Sequence, residues 1–570
     1  MVSIVTTGGT TLTTSQSSTA VDDPTSTGLS LSSYITSNAR MTEYTNNIDT
    51  ITSKISTNTT KISYYAEMQT LLQSLSTAAK NLAGADSQGT SSDVFSERSA
   101  SLTSSSSTSA ASLLTASVDS GTTSATHSVV VQQIATAEQI AGTGQTSASS
   151  GLNYSGSFTI GAGTNSATLS ISSTMTLSDI ASAINDTSSA SGVSASVVEV
   201  SSTSFVLEIT ASNTDQTITM SDLSGDILSG LGLADSSGNA VNVVSAAQPA
   251  IITVDGITGI TRTSNSIKDV LTGVNLELAK ADTSTTLTLA ITANTKDITS
   301  AISSFISAYN SWENFVSGQQ ATNSDGTATS TAVLFGDSLL RDVSTAIGNS
   351  LAGLVHNASL GAIGITFDSN YDLTLNTATL SSALSDQLTT VAELFEYTVS
   401  SSSNNLSLET DNKSSYSGTM GLSLTSDSNG TITSVSASDL GSGEAISFSI
   451  AGDVVTAATG GLASGLSFAF SGSDMSASIN ISITQGIADA IYQICENYGN
   501  SSTGFLQQTI ISLQDQDTDL TTRKSDLTTA ANTYYDQLLT NYGNVQAQIS
   551  TNNSMYKLLT ELISSTSSSN

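Results

Sequence analysis

The longest regular apolar pattern of the chain lies at residues 538–563, LLTNYGNVQAQISTNNSMYKLLTELI. Its seam positions follow one another in alternating steps of three and four, as in a heptad repeat. Such a repeat predicts a long helix that packs along one face against another helix. The seam positions are Leu538, Tyr542, Val545, Ile549, Asn552, Tyr556, Leu559 and Ile563.

The stretch before this segment continues the same kind of pattern. Leu506, Leu513, Leu520, Leu527 and Tyr534 are spaced by seven residues. This series joins the later one with a slip of one position near Asn541, which predicts a local change in helix winding. Two charged residues, Asp517 and Lys524, interrupt the seam. We therefore expect looser packing in this part of the helix.

A second heptad pattern lies near the other end of the chain and includes a polar seam residue, Asn58, typical of register-setting positions. Its positions are Met41, Tyr44, Ile48, Ile51, Ile55, Asn58, Ile62 and Tyr65. We expect Ile48, Ile51, Ile55 and Ile62 to pack against Leu538, Val545, Ile549 and Leu559, within one chain or between two copies. The candidate assembly residues are those eight together with Tyr542 and Tyr556.

The sequence between the two patterns is typical of β-structure. Phe205, Leu207 and Ile209 alternate as in a half-buried strand, and residues 161–166 suggest a hairpin turn. Asp255-Gly256 is a dipeptide favoured in tight hairpins. A short helix is predicted at 178–186, a longer one from Thr299, and a further helix around 339–354.

These patterns predict a multidomain α+β protein in which helical coiled-coil arms at the termini flank β-rich domains of antiparallel sheets. A helix stop at Gly84 and the change in periodicity supply the borders. The predicted parts are a flexible tail (1–28), an N-terminal arm (29–84), a β-rich region (85–250) with a small module near 170–210, an α+β region (251–400), a variable β module (401–484), a C-terminal arm (485–564) and a tail (565–570).

The composition restricts the possible partners. Lys and Arg number 14 against 47 Asp and Glu, which gives a net charge of −33. Nucleic acids and anionic lipid surfaces bind basic patches, so neither is an expected partner. The beginning of the chain lacks the basic and apolar regions of a cleaved signal peptide, and no apolar run is long enough for membrane insertion. With one cysteine, no intramolecular disulfide is possible.

Residues that could carry catalysis or bind a metal are few. His127 and His356 have no second ligand at metal-binding spacing, so no metal site is predicted. Cys495 lies in an apolar helical stretch and is interpreted as a small core residue. Asp515, Asp517 and Asp519 lack the turn glycine of a calcium loop. We therefore expect no cofactor and no enzymatic activity.

Several strings occur in the same order as in one known family. The strings are ATHSVVVQQIATAEQIA (125–141), TLSDIASAIN (176–185), QPAIITVDG (248–256), RTSNSI (262–267), LTGVNLEL (271–278), FISAYN (305–310), LFGDSLLR (334–341) and LGAIGITFD (360–368). With the helical termini, this order resembles the flagellar filament-capping proteins, also called the hook-associated protein 2 family. The string at 176–185 resembles the small module that flagellins share with hook-associated proteins.

The resemblance implies a non-enzymatic cap at the distal tip of the bacterial flagellar filament. It implies self-association into a closed, pentamer-like ring, and contacts with flagellin, hook–filament junction proteins and a type III export chaperone. It also implies an extracellular location, reached through the flagellar type III system without a cleaved signal peptide. Two alternatives stay open: another axial protein, such as a flagellin or junction protein, and a surface adhesin. Cell adhesion as a secondary role is also open.

Overall fold

The computed structural model describes residues 3–5, 11–13, 30–84, 93–355, 358–410, 414 and 416–567. The predicted tail 1–28 lies outside these residues except for two short strands, and His356 also lies outside them. The chain divides into two compact units, one formed by residues 1–92 with 298–570 and the other by residues 93–297.

The α-helices of the described residues include two that are much longer than the rest. They are α1 (Leu31–Thr36), α2 (Ala39–Lys80), α3 (Leu177–Asp186), α4 (Ser188–Ser191), α5 (Ile227–Gly230), α6 (Thr295–Gln319), α7 (Ser338–Ala352), α8 (Thr377–Asp386), α9 (Leu388–Phe395), α10 (Ile487–Gly499) and α11 (Phe505–Ser567). Single 3₁₀ turns occupy Ala110–Ser112 and Leu360–Ile363.

The strands are short and numerous. In the first part of the chain they are β1 (Ser3–Val5), β2 (Thr11–Thr13), β3 (Arg98–Ser104), β4 (Leu114–Val118), β5 (Ala125–Gln133), β6 (Gln139–Ala141), β7 (Gly156–Ala162), β8 (Ala167–Ile171), β9 (Val193–Ser201), β10 (Ser204–Ala211), β11 (Ile218–Ser224), β12 (Val243–Ser245), β13 (Ala250–Val254), β14 (Ile257–Arg262), β15 (Ser266–Ile267), β16 (Val274–Leu278) and β17 (Leu287–Ala293). The later strands are β18 (Ile365–Phe367), β19 (Leu373–Leu375), β20 (Thr398–Ser401), β21 (Leu406–Thr410), β22 (Gly418–Ser426), β23 (Ile432–Asp439), β24 (Ala445–Ile446), β25 (Phe448–Ala451), β26 (Val454–Ala457), β27 (Ser467–Phe470) and β28 (Ser476–Thr484).

The predicted fold class is confirmed, because long helices lie near both ends and antiparallel sheets lie between them. Each arm differs from its prediction in one respect. The N-terminal arm is divided into α1 and α2, since Asn38 accepts hydrogen bonds from the N–H groups of Arg40 and Met41 and so begins a new helix. The C-terminal arm is likewise divided, into α10 and α11.

The unit 93–297 contains four sheets and two apolar cores. One core lies between the sheet β14-β13-β5-β17-β3 and the sheet β15-β16-β4. The other joins β12-β6-β10-β9 and β11-β7-β8 with α3. Thr176 and Asp179 cap α3 reciprocally, and Leu177, Ile180 and Ile184 face its core.

The turns and strands predicted in this unit are confirmed. β7 and β8 form the hairpin around residues 161–166. Asp255 and Gly256 both have positive φ (51° and 81°), as a tight turn between β13 and β14 requires. The suggested domain border after residue 250 falls inside β13, which pairs with β5. The other borders stay predictions.

The unit formed by residues 1–92 and 298–570 contains a β module at residues 398–484. Its two sheets are β20-β28-β22-β23-β24 and β21-β27-β26-β25, and one apolar core includes Leu422 of the first and Phe468 of the second. A buried polar pair adjoins this core: the Tyr416 hydroxyl donates to Asp439 over 2.5 Å, and the Ser442 hydroxyl donates to the same carboxylate. These bonds hold the pKa of Asp439 at about 2, below its ordinary value.

We predict that the β module loses stability as the pH falls from 4 towards 2. Because the pKa of Asp439 is depressed in the folded state, its contribution is present above the ordinary carboxyl pKa and disappears as the folded carboxylate is protonated. Hydrogen exchange of β22 and β23, measured from pH 5 to pH 2, checks this. Asp439→Asn should reduce stability at pH 5 and flatten the dependence; an unchanged acid profile in this variant would contradict the assignment.

A second prediction concerns Gly486, which precedes α10. A Cβ atom there would lie 2.2 Å from the Phe395 carbonyl carbon, so Gly486→Ala should destabilise the α10 region by about 1–3 kcal/mol through overpacking. Gly543 lies within α11 with open space around its Cα, so Gly543→Ala should stabilise by about 0.5–1 kcal/mol. Chemical denaturation measures both, and equal effects would contradict the prediction.

Candidate assembly site

The two long helices α2 and α11 run antiparallel. Three contacts set their register: the rings of Tyr44 and Tyr534 are 6.2 Å apart, Asn58 Nδ2 donates to Asp517 Oδ1 over 2.8 Å, and Gln69 Nε2 lies 3.4 Å from Gln507 Oε1. Residue numbers therefore rise along α1 and α2 while they fall along α11. The arms pair within one chain, which answers the question that the sequence left open.

An apolar cluster joins these helices where α1 meets α11, and we call it the arm cluster. It unites three of the candidate assembly residues, Ile48, Leu538 and Tyr542, all of them buried. Its buried members are Leu31, Ile35, Met41, Ile48, Ala531, Tyr535, Leu538, Leu539 and Tyr542. At its edge, the guanidinium carbon of Arg40 lies 5.0 Å from the centre of the Tyr534 ring, a distance suited to a cation–π contact.

The cluster also shows how the slip near Asn541 is accommodated. α11 continues through Asn541 without interruption. From the partly buried Leu527, the buried residues of α11 follow in steps of four, four, three and four residues. They are Ala531, Tyr535, Leu538 and Tyr542. Two consecutive steps of four turn the apolar face within an unbroken helix, so Tyr535 rather than Tyr534 is the fully buried ring.

The middle of the helix pair is polar and loosely packed, as Asp517 and Lys524 led us to expect. Between Ile510 and Ala531, α11 has no buried residue. On α2, Ile51 is buried, whereas Ile55 and Ile62 are only half-buried. A groove of about 680 Å³ lies beside the Asn58–Asp517 hydrogen bond and is lined by Thr50, Ser53, Lys54, Thr57, Asn58, Gln516, Asp519 and Leu520.

The register contradicts part of the predicted pairing. Ile51, Ile55 and Ile62 lie along α2 at levels that correspond to residues 507–534 of α11. They therefore do not pack against Val545, Ile549 or Leu559. The sequence shows two heptad seams but not their relative direction or offset, and an antiparallel arrangement places most of these residues far apart.

The remaining candidate residues lie beyond the arm cluster. Val545 and Ile549 are half-buried, whereas Tyr556 is 73% exposed and Leu559 is 54% exposed. Met555 and Leu558 beside them are also exposed. We call Met555, Tyr556, Leu558 and Leu559 the terminal stripe. An assembly role for Val545, Ile549 and the terminal stripe stays a prediction.

Many threonine hydroxyls of both long helices bond back to the carbonyl oxygen four residues earlier. Thr50, Thr57 and Thr60 do so on α2, over 2.7–2.9 Å, and Thr518 and Thr529 do so on α11. Threonine has a low helix propensity, and such bonds tend to bend helices. The two helices therefore depend on their contacts more than on intrinsic propensity.

Sequence reasoning missed the contact of α2 with α10. Ser76 Oγ donates to Glu496 Oε1 over 2.9 Å, Gln73 Nε2 donates to the Gly499 carbonyl, and Leu72 packs close to Gly499. The apolar residues Ile487, Ile491 and Cys495 recur at a spacing of four, which could have indicated a packed helix face.

The residues considered for chemistry occupy structural positions. Cys495 is buried, which raises the pKa of its thiol and makes it a poor nucleophile. His127 Nδ1 lies 2.7 Å from Asp255 Oδ2 beside the β13–β14 turn, and this contact lowers the pKa of Asp255. Within the described ranges, no group of three or more His, Cys, Asp and Glu side chains could hold a metal ion. No helix among them has the length and apolarity to cross a membrane.

A family model describes most of this architecture. The model for the C-terminus of flagellar hook-associated protein 2 matches residues 247–554, more than half of the chain. The chain belongs to the flagellar hook-associated protein 2 family. The model for the family's N-terminus matches residues 27–138, and the flagellin hook IN motif matches residues 157–213. The resemblance found in the sequence is thereby confirmed.

Individual relatives are moderately similar. Flagellar hook-associated protein 2 of Salmonella typhimurium is 33% identical over 235 residues, which are 38% of this chain and 47% of that protein. The B-type flagellar hook-associated protein 2 of Pseudomonas aeruginosa is 26% identical over 305 residues, 50% of this chain and 64% of that protein. The chain thus spans about half to two thirds of the length of these relatives.

Solved structures include the D1-D2-D3 domains of the flagellar cap protein FliD from Escherichia coli. They are 30% identical to this chain, and the match covers 58% of this chain and 90% of theirs, with a TM-score of 0.47.

We predict that a leucine-to-alanine substitution reduces the stability of the arm at one position of the apolar face of α11 and leaves it almost unchanged at another. Leu538→Ala removes a buried side chain of the arm cluster and should cost about 2–5 kcal/mol of arm stability. Leu559→Ala, in the exposed stripe, should change the stability of the isolated subunit by no more than about 0.5 kcal/mol. Denaturation followed by helical circular dichroism checks both; equal losses would show that Leu559 has an intramolecular partner.

Proposed function

We propose that the protein is a structural cap at the distal tip of a bacterial flagellar filament, where it retains exported flagellin and guides its folding into the growing filament. The observation that carries the proposal is the pair of family matches, 27–138 and 247–554, which include most of both arm helices. The similar solved structure from Escherichia coli is that of a flagellar cap protein.

The features of the arm suit an assembly role. The arm cluster holds α1, α2 and α11 together in one subunit, while α11 extends past it with exposed apolar side chains. Exposed apolar side chains in a contiguous group mark surfaces that contact other proteins. In this proposal the arm is a leg directed at the filament end.

The proposed partners follow from that role. They are other copies of the chain in a closed ring, flagellin, the hook–filament junction proteins and an export chaperone. The proposed location is extracellular, at the filament tip, reached through the flagellar type III system. The proposal needs no cofactor and no catalytic residue.

The other axial proteins are distinguished by the form of the assembly. A flagellin forms an open helical polymer, whereas a cap forms a closed ring, because a rotation that closes limits the number of subunits. Electron microscopy of the purified protein separates the two forms. Nothing in the described residues favours an adhesin.

Complementation of a strain that lacks this gene tests the function. A protein that ends at Asn553 keeps the whole arm cluster but lacks the terminal stripe, so it should fold and yet fail to support filaments. A protein that ends at Ser567 is the matched control and should restore filaments. Filament length by electron microscopy and flagellin in the medium are the measurements.

The outcomes separate two claims. Full-length filaments with the protein that ends at Asn553 would show that the terminal stripe is dispensable for capping. Full-length filaments in the strain without any copy of the gene would overturn the capping function itself.

A further inference from the structure

The apolar face of α11 continues past the helices that cover its earlier part. The ring contact between Tyr34 and Tyr542 is the level at which α1 packs on α11. From there the heptad steps continue through Val545, Ile549 and Asn552 into the terminal stripe without a change in spacing. All residues from 550 to 565 are exposed, and these include large apolar side chains.

The exposed region is broad and apolar. Met555, Tyr556, Leu558 and Leu559 are each at least 54% exposed, and Leu562 and Ile563 beside them are exposed as well. Asn552, the terminal stripe and Leu562 line a shallow groove of about 500 Å³. This face continues the heptad seam of α11 and is suited to contact with another helix.

Charge favours a second copy of the chain as the occupant. The whole chain carries −33, so most surfaces of two copies repel each other. From residue 538 to the end of the chain, however, the charged residues are Lys557 and Glu561, which cancel. They are spaced by four and lie outside the seam positions. Two copies of α11 can therefore approach along this face without like-charge repulsion.

Asn552 indicates the direction of the contact. An asparagine at a seam position is tolerated when it meets another asparagine, and this preference sets the register of parallel pairs. In a parallel, in-register pair of α11 helices, Asn552 of each copy meets its equivalent. In most antiparallel registers it would face an apolar side chain and lose its hydrogen bonds.

We propose that the terminal stripe forms a parallel, in-register contact between α11 helices of neighbouring copies. The contact is centred on Asn552, Tyr556 and Leu559. This inference rests on the self-association included in the proposed function and names its surface. Because it is tested on the purified protein and not through filament growth, its failure leaves the capping function untouched.

Cysteine cross-linking of the purified full-length chain tests the direction. In a Cys495→Ala background, Asn552→Cys and Leu559→Cys should each form disulfide-linked dimers on mild oxidation. A disulfide requires Cα atoms about 4.4–6.8 Å apart, and the two positions are about 10 Å apart along the helix. A single antiparallel register therefore allows at most one of them to link to itself. Lys557→Cys, on the outer face, is the matched control and should remain reduced.

Sedimentation measurements test the contribution of the stripe. Leu559→Glu should weaken self-association at least about tenfold, because like charges would meet at the seam of a parallel pair. Ser554→Glu adds the same charge on the outer face and should leave association unchanged. Both residues are exposed in the single chain, so neither variant should unfold it. Circular dichroism verifies this.

Three results would overturn the proposal. The first is that only one of the two cysteines links to itself, which indicates an antiparallel pair. The second is a chain that stays monomeric while amides of 552–563 are protected from exchange, which indicates that another segment of the same chain covers the stripe. The third is association only after flagellin is added, which assigns the stripe to flagellin.

Discussion

The apolar contact between α2 and α11 is the constraint on which the unit that contains both termini depends. Tyr534 and Asn38, which share a hydrogen bond of 3.2 Å, are 496 positions apart in the chain. The contact must therefore form across almost the entire sequence, at a considerable cost in loop-closure entropy. Burial of Ile48, Tyr535 and Leu538 in the arm cluster offsets this cost. The helix pair thereby closes the long loop that the intervening chain forms.

The arm divides its stability and its specificity between different residues. The arm cluster is apolar and stabilises through burial. The middle is polar, and Asn58 with Asp517 contributes a hydrogen bond that only one register can form. A polar contact of this kind adds little to stability but penalises every alternative register, because Asn58 would then lose its partner.

Much of the architecture could be predicted from the sequence, because period and turn chemistry are local properties. The heptad seams, the hairpin at β7–β8 and the Asp255-Gly256 turn are of this kind. The register of the arms could not be predicted: it depends on which seam residues meet across the chain, and two seams of similar length allow several offsets. The break at Asn38 had a local signal, an N-cap residue, that a search for apolar periodicity alone overlooks. The exposure of Tyr556 and Leu559 likewise could not be predicted from the sequence, because both residues occupy the same heptad seam as the buried Leu538 and Tyr542.

The low helix propensity that the threonines give to α2 and α11 has a consequence for the stability of the end of α11. Residues 550–554, Ser-Thr-Asn-Asn-Ser, are poor helix formers, and no side chain among them is buried. The helical state of this stretch is therefore held by little more than its own backbone hydrogen bonds. We expect its amides to exchange with solvent faster than those of the arm cluster, and to slow when the stripe is covered. In the proposed contact, a second copy that covers the stripe would therefore also stabilise the helical state of this end of α11.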